Sequence, residues 1–316
     1  MRMADRYCGV IVPLLTPIRV DGRIDEAAAE RLVDHVVGAG GHPFVLGTTG
    51  EGASVSREMG EVLLRRVVGH TAGRATVYAG VSTNALGNAV ETGRRYLELG
   101  ADAVVVHPPC YFEPGSEGLL AFYERLADAL GGPMLIYNIP MTTRISIPLD
   151  VVETLSRHPN IVGLKDSEPD RERMREALDR FAGRDDFVVL VGASRDGAFG
   201  VARGATGTVP GGANLLPELY RRLHDAAASG DTDTAEELQR LADRLDAICF
   251  DGRSLGAGLA ALKVIAAELG LCEPHMLPPL TRLPPAEEAR LLAMWNKLER
   301  QVAMFELRTP ARRGSA

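Results

Sequence analysis

Lysine is nearly missing from this chain. Of 35 basic residues in 316, only Lys165, Lys263 and Lys297 are lysine, and arginine carries almost all the remaining positive charge. A genome rich in arginine codons accounts for the scarcity by itself, but it makes each lysine worth locating. Cysteine is also sparse: Cys8, Cys110, Cys249 and Cys272 stand far apart and form no Cys-x-x-Cys pair. That spacing argues against a zinc knuckle or redox dithiol and leaves buried or partly buried free thiols as the expectation. The seven histidines never fall at i, i+2 or i, i+4, which removes the simplest metal motifs, and no metal is expected. No apolar stretch approaches the roughly 20 residues that span a bilayer. The first residues, MRMADRYCGVIVPLLTP, are too short a stretch, interrupted by Asp5 and Pro13, to read as a signal peptide, so a cytoplasmic location is expected. No G-x-G-x-x-G follows an early apolar run, and G-x-x-x-x-G-K-[ST] is absent, so a dinucleotide or P-loop site has little support. A net charge of −7 and a pI near 5.6 disfavour nucleic acid and anionic membrane as partners.

What is present is a repeating alternation. Short apolar runs at 9–17, 42–49, 75–82, 102–109, 133–140, 161–167, 187–194 and 205–212 each precede an amphipathic or short helical stretch. The helix opened by Asp25 sets Leu32, Val33, Val36 and Val37 on one face, and that opened near Ser56 does the same with Leu63, Leu64, Val67 and Val68. Later helices are expected at 84–99, 116–130, 148–157, around Met174, Leu178 and Phe181, and at 217–228. Continuous Val/Ile/Leu runs suit parallel strands covered on both faces, and eight such units predict a closed (β/α)8 TIM barrel over residues 1–231. Helices alone follow, near 233–248, 255–270 and 285–304. They are read as a C-terminal helical extension (232–307) packed on the barrel or on a neighbouring subunit, with 308–316 as a disordered tail.

In such a barrel chemistry sits at the C-terminal ends of the strands. The polar residues there are Gly47-Thr48-Thr49-Gly50-Glu51, Pro108-Pro109-Cys110-Tyr111, Tyr137-Asn138-Ile139-Pro140, Lys165-Asp166-Ser167 and Gly192-Ala193-Ser194-Arg195. Lys165 emerges from an apolar strand. At its reference pKa a lysine is neutral only about 0.04% of the time at pH 7, and lowering that pKa by about three units costs roughly 4 kcal/mol. A desolvated barrel mouth imposes such a cost, and a neutral amine there can form an imine with a 2-oxo acid. The plain alternative is a lysine that snorkels outward or pairs with Asp166. Tyr137, on the next strand, is either a proton shuttle for imine chemistry or a core tyrosine with a polar tip. Gly47-Thr48-Thr49-Gly50 offers backbone N–H groups and hydroxyls for a carboxylate, or is simply a turn.

Those motifs, with Thr16-Pro17 and Gly163-Leu164-Lys165, resemble the dihydrodipicolinate synthase / N-acetylneuraminate lyase family of pyruvate-dependent class I aldolases over about residues 7–305. The resemblance implies that Lys165 is the Schiff-base lysine and Tyr137 the phenol that moves protons over it. It implies that Thr48 links Tyr137 to Tyr111, the latter supplied by a neighbouring subunit. Thr49 and Gly47 would hold the pyruvate carboxylate, and the Val209 carbonyl would face the site. It further implies a homotetramer built from dimers, with no cofactor beyond the covalent imine. Two departures bear on substrate. Thr142 stands where synthases carry a carboxylate-binding arginine, with Arg144 two residues on, and Ser194-Arg195 stand where sialic acid lyases carry acids. The expected activity is aldol cleavage of a 2-keto-3-deoxy acid to pyruvate and an aldehyde, with Arg195 or Arg144 either available to a second anionic group or lying on the surface. The alternatives are a synthase condensing pyruvate with aspartate semialdehyde, a dehydratase using the same imine, and a non-catalytic barrel that only binds an oxo acid.

Overall fold

The computed structural model describes residues 3–308. A short α1 (Met3–Arg6) leads into β1 (Gly9–Pro13), α2 (Glu26–Gly38), β2 (His42–Val45), α3 (Arg57–Thr71) and β3 (Tyr78–Val81). Then come α4 (Leu86–Glu98), β4 (Ala103–Val106), α5 (Ser116–Leu130), β5 (Met134–Asn138), α6 (Pro140–Thr143) and α7 (Leu149–Leu155). β6 (Ile161–Asp166), α8 (Arg171–Arg180), β7 (Val188–Val191), α9 (Gly197–Ala202) and β8 (Gly207–Thr208) complete the repeat. α10 (Pro217–Ser229), α11 (Thr232–Phe250), α12 (Leu255–Glu268) and α13 (Pro285–Arg308) follow. All neighbouring strands are parallel, and β1 pairs with both β2 and β8, so the sheet closes into the expected barrel.

Helix starts follow local chemistry. Asp25, Ser56, Asp170, Asp231 and Ser254 each cap a helix by accepting a backbone N–H from its first turn. Strands are shorter than the apolar runs suggested: β1 ends at Pro13 and β8 spans two residues, because the runs continue into the loops at the barrel mouth. The 148–157 helix forms as α7, with Pro148 as its cap residue. The first helix, α1, has no counterpart in the sequence reading. It brings Tyr7 and Met3 into the barrel's interior cluster and is tied to the segment before β7 by Met3 N–H donating to the Asp185 carbonyl (3.1 Å).

Two apolar layers result from strand alternation. Inside the barrel lie Ile11, Phe44, Tyr78, Val105, Leu135, Tyr137, Val162, Val188 and Leu190. Between barrel and helices lie Val12, Val45, Val104, Ile136, Leu164 and Val189, in a cluster that also takes in Trp295, Leu291 and Leu298 of α13. The C-terminal helices therefore share the barrel's outer core. α11 also crosses the turn after β7: the Gln239 amide donates to the Ser194 carbonyl (3.0 Å) and accepts from the Ala198 N–H (3.0 Å). Cys249 and Cys272 are buried and Cys8 partly so, but Cys110 is exposed, contrary to the sequence expectation. It sits in the loop after β4, where its N–H donates to Asn84. α13 runs through Arg308, the first residue of the expected tail, and the rest of that segment, 309–316, lies outside the described residues.

Candidate active site

β5 and β6 lie in register, with Tyr137 beside Lys165 and Asn138 beside Asp166. Alternation sends the first pair into the barrel and the second outward. Asp166 is therefore unavailable to Lys165, which excludes the simple pairing open from sequence. Its oxygens bind the Asn138 amide (2.8 Å) and the Arg173 guanidinium (2.8 Å). Asn138 also donates to Glu168 (2.9 Å) and accepts the Ile147 N–H (3.0 Å), so it locks β5, β6 and the loop before α7 together. The signal for that lock was a polar residue in an apolar strand, but its partners are not readable from the sequence.

Lys165 is 4% exposed. Its Nζ lies 3.9 Å from the Tyr137 ring centroid and 4.7 Å from that of Phe44. Burial pushes the amine's pKa below the ordinary lysine value, and Tyr137 opposes this in part through its charge and a hydrogen bond. The result is a lysine with little water around it, clasped by two rings, with a larger neutral fraction than a surface lysine has. Phe44, unremarked in the sequence, is the second wall. Gly47 lets that wall stand, since a Cβ there would lie 2.9 Å from the Phe44 ring.

The Thr48 and Tyr137 hydroxyls are 3.3 Å apart, so the loop after β2 reaches the phenol as expected. That loop is tightly folded. Leu46 and Glu51 both hold positive φ, Gly52 N–H donates to the Gly47 carbonyl (3.0 Å), and Thr16 Oγ1 donates to the Gly50 carbonyl (2.5 Å). Thr49 lies against Gly211 of the turn after β8, where a Cβ would sit 3.6 Å from its Oγ1. Val209 is buried one turn earlier, its N–H donating to the Val191 carbonyl (2.8 Å). Thr48, Thr49, Tyr137, Lys165 and Val209 thus come from strand ends at one mouth of the barrel.

The remaining expected residues make other contacts. Tyr111 is 80% exposed and stacked edge-on against equally exposed Phe112, making no hydrogen bond to Thr48 within this chain. Thr142 is exposed on α6 and donates to the Ile139 carbonyl (3.3 Å). Arg144 is exposed at positive φ, just beyond α6. Arg195 is bound to Asp251 (2.7 Å) instead of standing free for a substrate anion. It faces Asp246, whose carboxyl is pushed up to about 7 by burial and by Asp243, with Arg195 and the Ser194 hydroxyl pulling the other way. Arg195 also borders a groove of about 530 Å³ with Arg171, Arg203 and Arg240 among α9, α10 and α11, and neither Lys165 nor Tyr137 lines it. Among the described residues, no three His, Cys, Asp or Glu side chains gather to hold a metal, and no helix is long and apolar enough to cross a membrane.

An eight-stranded barrel that buries one lysine beneath a tyrosine at its C-terminal mouth defines a class, the lyases that work through a lysine imine. Comparison with known proteins gives the family. Residues 6–297 match the dihydrodipicolinate synthetase family, and the chain belongs to it. It is 35% identical to the 4-hydroxy-tetrahydrodipicolinate synthase of Phenylobacterium zucineum over 288 residues, 91% of this chain and 96% of that one. The dihydrodipicolinate synthase structure from Bacteroides thetaiotaomicron superposes with a TM-score of 0.87 at 31% identity, covering 92% of this chain and 98% of that chain. A chloride-inhibited dihydrodipicolinate synthase from Acinetobacter baumannii, complexed with pyruvate, gives 0.86 at 28% identity, covering 92% and 99%. Members of the family are pyruvate-dependent lyases and synthases acting through a lysine Schiff base, and this chain is an enzyme of that kind.

Proposed function

We propose that the enzyme catalyses reversible aldol cleavage of a 2-keto-3-deoxy acid to pyruvate and an aldehyde, with Lys165 forming the imine and Tyr137 moving the protons. The observation that carries this reading is the buried amine clasped by Phe44 and Tyr137, with the phenol in reach of Thr48. The neutral amine attacks the ketone carbon. Loss of water from the carbinolamine and cleavage of the C3–C4 bond each need a proton relayed, and the phenol is the group over the nitrogen able to do it. Thr49 and Gly47 hold the carboxylate of the pyruvyl portion through the loop after β2. Val209, through its carbonyl, and Ser194 and Thr142 border the remainder.

Two placements favour an aldehyde without a second carboxylate. Thr142 replaces an arginine and turns back on its own helix, and Arg195 is already neutralised by Asp251 in acidic surroundings. A synthase reaction with pyruvate and aspartate semialdehyde is the second reading, favoured by the name of the Phenylobacterium relative. Tyr111, exposed beside Phe112, suits a tyrosine that completes the relay of a neighbouring subunit in a cytoplasmic homotetramer.

Incubation with pyruvate, borohydride reduction and peptide mass spectrometry tests the mechanism. The adduct is expected on Lys165, and an adduct on Lys263 or Lys297, or none, would remove the basis of the assignment. Release of pyruvate from 2-keto-3-deoxy acids, set against condensation with aspartate semialdehyde, then separates the two readings.

A further inference from the structure

Lys263 and Glu51 form an ion pair whose side chains are both completely shielded from solvent. Lys263 sits at the centre of α12, a helix buried continuously from Gly258 to Ala266. Its Nζ also donates to the His275 carbonyl (2.6 Å), while the second Glu51 oxygen accepts the Leu277 N–H (2.8 Å). Glu51 thus pins three separate pieces to one another: its own loop after β2, the middle of α12, and the segment leading to α13.

A buried ion pair is a poor device for stability alone, because apolar side chains of the same volume usually serve as well or better. What it adds is direction. Glu51 stands at φ +56, a conformation that a non-glycine residue holds only when its surroundings impose it. Its N–H donates to the Thr48 carbonyl (3.1 Å), so the carboxylate anchor and the residue that reaches Tyr137 are joined by one turn of backbone. Leu262, next to Lys263, and Thr49 approach Gly211 from two sides, within 3.8 Å and 3.6 Å of a Cβ built there. α12 therefore meets the loop after β2 directly at Glu51 and shares Gly211 with Thr49 as a common neighbour.

We propose that Glu51 and Lys263 are a positioning pair, through which the C-terminal helices hold the Thr48 hydroxyl on Tyr137 and the Thr49 N–H toward the substrate carboxylate. This rests on the imine mechanism proposed above. The pair touches no reacting atom and acts only through the loop.

The test is a mutant cycle. Either single substitution strands a buried charge, so the working background is the volume-conserving, charge-free Glu51→Gln/Lys263→Met double variant, with Thr48→Val introduced into it and into the wild type. The double variant is expected to fold and to melt cooperatively. Its kcat for pyruvate release falls at least about tenfold, by more than the rise in KM, as loss of a placed proton relay requires. Thr48→Val, which costs about a hundredfold in the wild type, then costs less than about threefold, because the hydroxyl is already out of place. A wild-type kcat in the double variant, or Thr48→Val penalties that multiply in full, would overturn the proposal and leave the pair a stability element. Borohydride trapping of pyruvate by the wild type is run alongside. No adduct there overturns the imine reading, and the positioning role falls with it.

Discussion

At the scale of single residues, the site depends on which way each side chain leaves its strand. Lys165 and Asp166 are neighbours in sequence but belong to different layers, one among Phe44 and Tyr137, the other tied to Asn138 and Arg173. The inward lysine has a depressed pKa because burial penalises its charged form. Imine formation needs the neutral amine, so its rate rises with pH and levels off once the amine is deprotonated. The logarithm of the trapping rate with pyruvate and borohydride is therefore expected to reach its plateau at a pH below the ordinary lysine value of about 10.4. A slope that continues through that value would mean an ordinary solvated lysine. Lys165, Tyr137 and Thr48 were legible in the sequence because each is a polar group at the end of an apolar run. Phe44 was not, since a phenylalanine inside a strand looks like any core residue. The ion pair of Arg195 was not legible for a related reason: Asp251, its partner, lies 56 positions away.

At the scale of elements, the most exacting piece is the turn from Leu46 to Gly52. It packs so closely that a Cβ at Gly52 would lie 1.9 Å from the Leu46 carbonyl oxygen, and one at Gly80 2.3 Å from the same atom. Backbone cannot yield as a flexible side chain does. Gly52→Ala is thus expected to destabilise the fold by about 3 kcal/mol or more, well above the usual surface substitution. In a denaturant titration the midpoint should drop, and the surviving folded protein should trap pyruvate more slowly because Thr48 is displaced. An unchanged midpoint would show that the turn relaxes freely. The sequence announced a turn here through Gly47-Thr48-Thr49-Gly50, but not its compression, which comes from β3 pressing Gly80 against it. Barrel strands and most helices were legible for a simple reason: runs of Val, Ile and Leu and caps such as Asp25 and Ser56 are local signals. α1 and α6 are single turns with no periodicity to read.

At the scale of the whole molecule, the barrel and the C-terminal helices make one body. Trp295 is fully buried, and Leu291, Leu298 and Val302 of α13 join the cluster that coats the barrel strands. Division at residue 231 describes the chain's order more than its cores. Ending the chain after Asp231 would expose that surface and strand Glu51 without Lys263. Such a truncation is expected to show no cooperative thermal transition by circular dichroism, and a sharp transition near that of the full chain would argue that the barrel is independent. The Glu51–Leu277 bond, spanning 226 positions, shows why this unity was not legible: nothing local in either segment names the other.

Folding also settles what becomes of the scarce lysines. Lys165 is sealed between two rings, Lys263 is shielded within its ion pair, and only Lys297, on α13, faces water. The native protein therefore presents an almost silent amine background to acylating and aldehyde reagents. Surface labelling, cross-linking or immobilisation through lysine would act at one side chain, remote in sequence from the catalytic mouth, and a small carbonyl compound that enters the barrel would meet a single amine.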